Sequence, residues 1–202
     1  MANKLRQAAF GVVAIASQSI CCAQYVLLGT QQFLQKVTNV QSSGPLGPKF
    51  YCIYSLFLVI FRFALEKINI PQKVRYLLSL ITVASVTLLC FLFRGIVMLT
   101  LIAFGCCLTV NLLYNSNMIC TMKVFSSKTM PVIIGIQAMM ITLGGSIFVY
   151  LINNYLDYNV NNPKISRAYL GYAAFLCTIY LLCYIIYPAN IELAEQEGQS
   201  AK

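Results

Sequence analysis

Histidine and tryptophan are both missing from this 202-residue chain, and charge is scarce: 9% of positions, with fourteen Lys and Arg against five Asp and Glu. Without histidine there is no Ser-His-Asp or Cys-His catalytic pair, no imidazole proton relay and no haem held by imidazole. Cysteine is plentiful, at nine residues, but no two are spaced Cys-x-x-Cys, which with the missing histidine speaks against a zinc site. Nor does any Asn-x-Ser/Thr sequon occur. Acid is the scarcest chemistry of all. The first 65 residues contain none, and the five acids are Glu66, Asp157, Glu192, Glu195 and Glu197.

What fills the chain instead is apolar: 59% of positions. A soluble domain has about 25% charged residues, so this surface is made for a medium other than water. Apolar runs of about 18 to 25 residues recur along the whole length, enough to cross a hydrocarbon core of about 30 Å. The expected class is an all-α integral membrane protein, a bundle of six transmembrane helices. The spans expected are 8–33, 50–65, 76–93, 95–122, 131–155 and 168–187, with a polar, acidic tail over 189–202 that forms a short helix in water. The first span has no small-residue cleavage end and is expected to be retained. In the connection "NVQSSGPLGPK", Pro45 and Pro48 are expected to end helical structure, whereas Pro131 suits a helix start.

The net charge of +9 is spread singly through the connections, as membrane insertion requires, and is not a nucleic-acid patch. Numbered alternately, the connections place Lys4, Arg6, Arg62, Lys67, Lys73, Arg75, Lys123, Lys128 and Lys202 on one side. Lys36, Lys49, Arg94, Lys164 and Arg167 fall on the other. The richer side is the inner one, so both termini are expected there. Without tryptophan, the interfacial belt falls to tyrosine, and Tyr51, Tyr76, Tyr114, Tyr155, Tyr158, Tyr169 and Tyr187 stand near span ends. The cysteines lie in or beside apolar runs, where they act as small hydrophobes.

Ionisable groups at membrane depth mark proton and ion coupling, and no acid falls inside an expected span. The polar groups that remain there are neutral. Asn111 and Asn115, four apart, share one face of the fourth span beside Tyr114. Gln18 and Gln24 sit in the first span on different faces, and Ser17 and Cys21 share the face of Gln24. Gln137 opens the fifth span in line with Ile141 and Gly144. These residues either line a cavity for a small neutral solute or bond helices to one another, where each such bond contributes about 0.6 to 2 kcal/mol. Ala138, Thr142 and Ser146 recur every four residues beside Gly144 and Gly145, a stripe that lets another helix come close.

The one place where both signs of charge gather is "ALEKINIPQKVRYLLSL", between the second and third spans. Six spans, inner termini, this charged hairpin and the glycine-bearing run "VIIGIQAMMITLGGSIFVYL" together resemble the N-terminal half of a major facilitator superfamily transporter. In that family the hairpin reads Gly-x-Leu-Ala-Asp-Arg-x-Gly-Arg-Arg. Here Glu66 stands at the Asp, Lys67 at the Arg, and Lys73 and Arg75 supply the later basic pair. "IAFGCCLTVNLLYNSN" resembles the fourth span of the family. The leading glycine of the motif is absent, Asn69 takes the central glycine position, and Pro71 lies among extra residues.

The resemblance implies a half-transporter bundle that needs a protein neighbour to cover the face its other half would cover. Two functions are expected from it. One is a non-catalytic membrane subunit of a larger assembly, with the basic, acid-poor start and missing sequons favouring an accessory subunit of a mitochondrial inner-membrane respiratory complex. The other is a homodimeric transporter of a small neutral solute, with Gln18, Gln24, Asn111, Asn115 and Gln137 lining its path. An enzyme ranks last, because no histidine or buried acid is present to activate a thiol. The expected partners are the lipid bilayer and other membrane subunits or a second copy. No cofactor or metal is expected.

Overall fold

The computed structural model describes residues 5–17, 46–68, 70–93, 95–125, 128–155 and 164–188. Among these residues the regular structure is all helix, with no strand. The helices are α1 (Leu5–Ser17), α2 (Leu46–Lys67), α3 (Gln72–Leu92), α4 (Gly95–Val124), α5 (Met130–Tyr155) and α6 (Lys164–Ile185). At 1.5 Å per residue, the 22 residues of α2 reach about 33 Å. Two described stretches, Gln72–Cys90 and Ile96–Tyr114, are long and apolar enough to cross a membrane. Shorter apolar helical stretches occupy Leu5–Ser17, Cys52–Leu65, Met130–Met139 and Ala173–Ile185.

Helix starts follow the local chemistry, with one departure. Pro48, expected to keep the chain out of helix, instead lies in the first turn of α2, which begins at Leu46. The first-turn N–H groups of a helix have no partner within it, so a proline there forfeits nothing. Pro131 sits equally early in α5, whose first bond runs from Ile133 N–H to the Thr129 carbonyl at 3.1 Å. Between α3 and α4 the break is very short. Phe93 turns extended, its N–H still bonded to the Leu89 carbonyl, and α4 resumes at Gly95.

The helices enclose two buried clusters. The first joins α2, α3 and α4 around Tyr54, Val86, Cys90, Ile102, Cys106 and Cys107. Here Phe57, Phe61 and Phe104 add an aromatic group, with ring centroids 5.0 to 5.9 Å apart. Gly105 lets α3 and α4 close up, since a Cβ there would stand 2.8 Å from Val86 Cγ2. The second cluster joins α1, α3, α4 and α6 around Phe10, Tyr76, Leu112, Leu176, Tyr180 and Tyr187. α3 and α4 contribute to both, which makes them the spine of the fold.

The second cluster also fixes direction. The start of α1 meets the end of α6, and Gly11 faces Phe125 just past α4. Tyr76, in the first turn and a half of α3, packs with both Phe10 and Tyr187. One end of the bundle therefore collects the starts of α1 and α3 and the ends of α4 and α6.

The outward faces are apolar. Leu56 and Ile60 of α2, Leu88 of α3, Ile96 of α4, Val132 and Leu143 of α5 and Phe175 of α6 are all exposed. Several polar side chains go the other way: Ser17, Ser79, Thr109, Asn117 and Gln137 are buried. Hydroxyls on these helices bond back to the carbonyl one turn earlier, as Thr87 does to Val83 and Thr109 to Gly105. Thr100 and Thr178, on exposed faces, do the same. A hydroxyl that bonds its own helix has little need of water.

Candidate functional site

The most concentrated polar chemistry among the described residues is a buried chain across three helices. Tyr76 Oη on α3 donates to Asn117 Oδ1 on α4, and Asn117 Nδ2 donates to Ser17 Oγ on α1 at 3.1 Å. All three side chains are fully buried. A buried amide or hydroxyl without a partner costs about 1–3 kcal/mol, so the three fix one another's positions. Aromatic rings close the chain on its upper side, where Phe10 stands edge-on to Tyr187 at 5.2 Å and to Tyr76 at 6.1 Å.

Above the rings sits Arg6. Its Nη2 donates to the carbonyls of Ile185 and Tyr187 at 3.0 and 3.2 Å, and its Nε to that of Ile186 at 3.3 Å. A cation over the carbonyl end of a helix is favourable both as a hydrogen-bond donor and against the helix dipole.

The charged hairpin is tied down on the same end. Arg75 Nε donates to the Ile70 carbonyl at 3.1 Å, which folds the turn onto the first residues of α3. Lys73 lies over the ring of Tyr184 on α6, 5.3 Å from its centre. Lys67 is exposed, and the side chain of Glu66 lies outside the described set. The later basic pair thus joins hairpin, α3 and α6.

Asn111 is half-buried, and its amide donates to the carbonyl of Cys107 on its own helix at 3.0 Å and to that of Leu58 on α2 at 3.4 Å. Tyr114 is exposed, and the side chain of Asn115 lies outside the described set. Gln137 is buried on α5. Gln18 and Gln24 lie outside the described residues, as does the acidic tail. Of the small-residue stripe, Ala138 and Ser146 are exposed. The surroundings of Thr142, Gly144 and Gly145 are outside the described set. Of the five candidate solute residues, Asn111 and Gln137 are the two whose side chains are described.

Two assignments change with the structure. Tyr76 and Tyr187, read as interfacial tyrosines from their place at span ends, are folded wholly into the core. Asn117 was not singled out in the sequence, although it carries the central pair of bonds. The signal was faint: three asparagines fall within seven positions of α4, and only packing says which faces inward.

The buried chain of Tyr76, Asn117 and Ser17 is neutral. The described cysteines stand as thiols, and Cys107 Sγ donates to the Tyr54 carbonyl at 3.0 Å. Among the described residues no group of three His, Cys, Asp or Glu is placed to hold a metal ion. Set against protein-family models, curated proteins and solved structures, the chain matches none.

Proposed function

We propose that this chain is a non-catalytic, polytopic membrane subunit: six transmembrane helices with a half-transporter layout, both termini inside, seated in a larger membrane assembly. One observation carries the reading. The bundle turns Leu, Ile, Val and Phe to its outer faces, while Ser17, Ser79, Thr87, Thr109, Asn117 and Gln137 are buried. In lipid the apolar side chains need no burial, while each polar group must find a partner within the protein. The 26 residues of α5 and the 30 of α4 support the same reading. α5 contains no charged residue, and the one charge in α4, Lys123, falls in its last turn.

The subunit role rests on what the polar groups are engaged in. Asn111 gives its amide to two backbone carbonyls, and Asn117 ties three helices together, which is the work of packing and not of solute passage. α5 turns apolar residues outward at Val132, Met139 and Leu143, together with the small Gly135 and Ala138, a surface suited to a neighbouring helix. The basic, acid-poor start supports the mitochondrial inner membrane as the location.

Extraction in mild detergent, native separation and mass spectrometry test this. Resistance to alkaline carbonate and co-migration with a large complex are the expected results. Release by carbonate would remove the membrane reading, and a discrete dimer taking up a neutral solute would replace the subunit with a transporter.

A further inference from the structure

We infer that α1 is a strap seated from the end of the bundle where α1 and α3 begin, and that Arg6 is the latch that fastens it. At the end of α6, Ile186 N–H still bonds the Leu182 carbonyl, and Pro188 then brings no N–H. The carbonyls of Ile185, Ile186 and Tyr187 stand at the C-terminal end of α6, where a helix takes its donors from outside its own ladder. Arg6 supplies all three from a residue some 180 positions away in sequence. These three bonds to the end of α6 therefore exist only while α1 is seated.

The seat itself is graded from rim to core. Arg6 is exposed at the rim. One turn deeper, Phe10 fits against Tyr187 and Tyr76. Gly11 lets α1 approach the ring of Phe125, from which a Cβ at that position would stand 2.7 Å. Ala14 and Ser17 follow on the same buried face, and Ser17 accepts the bond from Asn117. With the latch undone, the strap still has its aromatic packing and the neutral bond between Asn117 and Ser17, and the Tyr76–Asn117 pair is what its release uncovers. The inference stands on packing alone, so it holds or fails independently of the membrane assignment.

The thiols provide the readout. Cys183 is buried in the cluster beneath Arg6, while Cys107 is buried in the other cluster. Maleimide labelling of the full chain in mild detergent, resolved cysteine by cysteine by mass spectrometry, measures opening at each place. Arg6→Gln is expected to speed labelling of Cys183 by about tenfold or more, the factor that one lost hydrogen bond to a charged group sets on a local opening. Cys107 is expected to keep its wild-type rate, and Arg6→Lys, which keeps the charge but not the fork of donors, to fall between. If Arg6→Gln does not accumulate, Arg6→Lys alone gives the comparison, with Cys183 faster and Cys107 unchanged. A Cys183 rate that stays at wild type in the variant tested overturns the latch. So does a rise of Cys107 in step with Cys183, which means general unfolding.

Discussion

Replacing Asn117 with leucine is the most informative single perturbation of the buried chain. The side chains are similar in volume, so the change removes polar contacts without opening a large cavity. Two bonds go at once: the one accepted from Tyr76 and the one given to Ser17. Side-chain hydrogen bonds between helices in membrane bundles average about 0.6 kcal/mol and reach about 1.7. Stranding a buried hydroxyl adds about 1–3 kcal/mol. The expected loss is about 2–4 kcal/mol, and Tyr76→Phe, which removes one bond, is expected to cost about 1 kcal/mol. Because Tyr76→Phe also removes the hydroxyl that Asn117→Leu strands, the double variant is expected to lose about 1 kcal/mol less than the sum of the singles. For a chain of this size 2–4 kcal/mol lowers Tm by about 5–15 °C. Unfolding in mild detergent can be followed with a thiol-reactive dye that reports exposure of Cys106, Cys107 and Cys183, all buried in the folded chain. An Asn117→Leu variant within about 1 °C of wild type, or strict additivity of the two changes, would refute the reasoning.

Gly105→Ala is expected to destabilise by about 1–2 kcal/mol, since the β-branched Val86 in its path is stiff and the gain in helix propensity offsets only part of the overpacking. Gly135→Ala meets nothing within 4 Å and is expected to stabilise by up to about 1 kcal/mol, so thermal shifts of opposite sign in the two variants check both. Asn111→Leu is expected to cost less than about 1 kcal/mol, because one of its bonds is to its own helix and the other is long; a larger loss in the same melt assigns it more than a bond between α2 and α4. Lys73→Arg is expected to keep the contact on Tyr184 and Lys73→Ala to lose about 0.5–1 kcal/mol, read from the same melts at low and high salt.

Much of the helical layout was legible because it is set by local chemistry. Pro131 fits only the start of a helix, the pair Arg94–Gly95 leaves almost no room between two apolar runs, and the charged hairpin cannot lie in an apolar run. The candidate site was not legible in the same way. α4 is apolar on nearly every side, so its sequence contains no stripe to say which of Asn111, Asn115 and Asn117 turns inward. The same uniformity hid Tyr76. A tyrosine near a span end reads as an anchor at the lipid boundary, until Phe10 and Tyr187 are seen to enclose it. Arg6 counted in the sequence only as one more basic residue setting orientation. Its three carbonyl partners belong to the far end of the chain, and only the fold brings them together.

Which solvent meets the outer faces separates a membrane bundle from a water-soluble one. Photolabelling the full chain in liposomes with an apolar carbene probe confined to the lipid phase, and mapping the labelled residues by mass spectrometry, asks this directly. Label is expected on Leu88, Ile96 and Phe175, with Leu112 and Leu176 left untouched. Finding Leu88, Ile96 and Phe175 unlabelled by the probe yet open to a water-borne oxidant would contradict it.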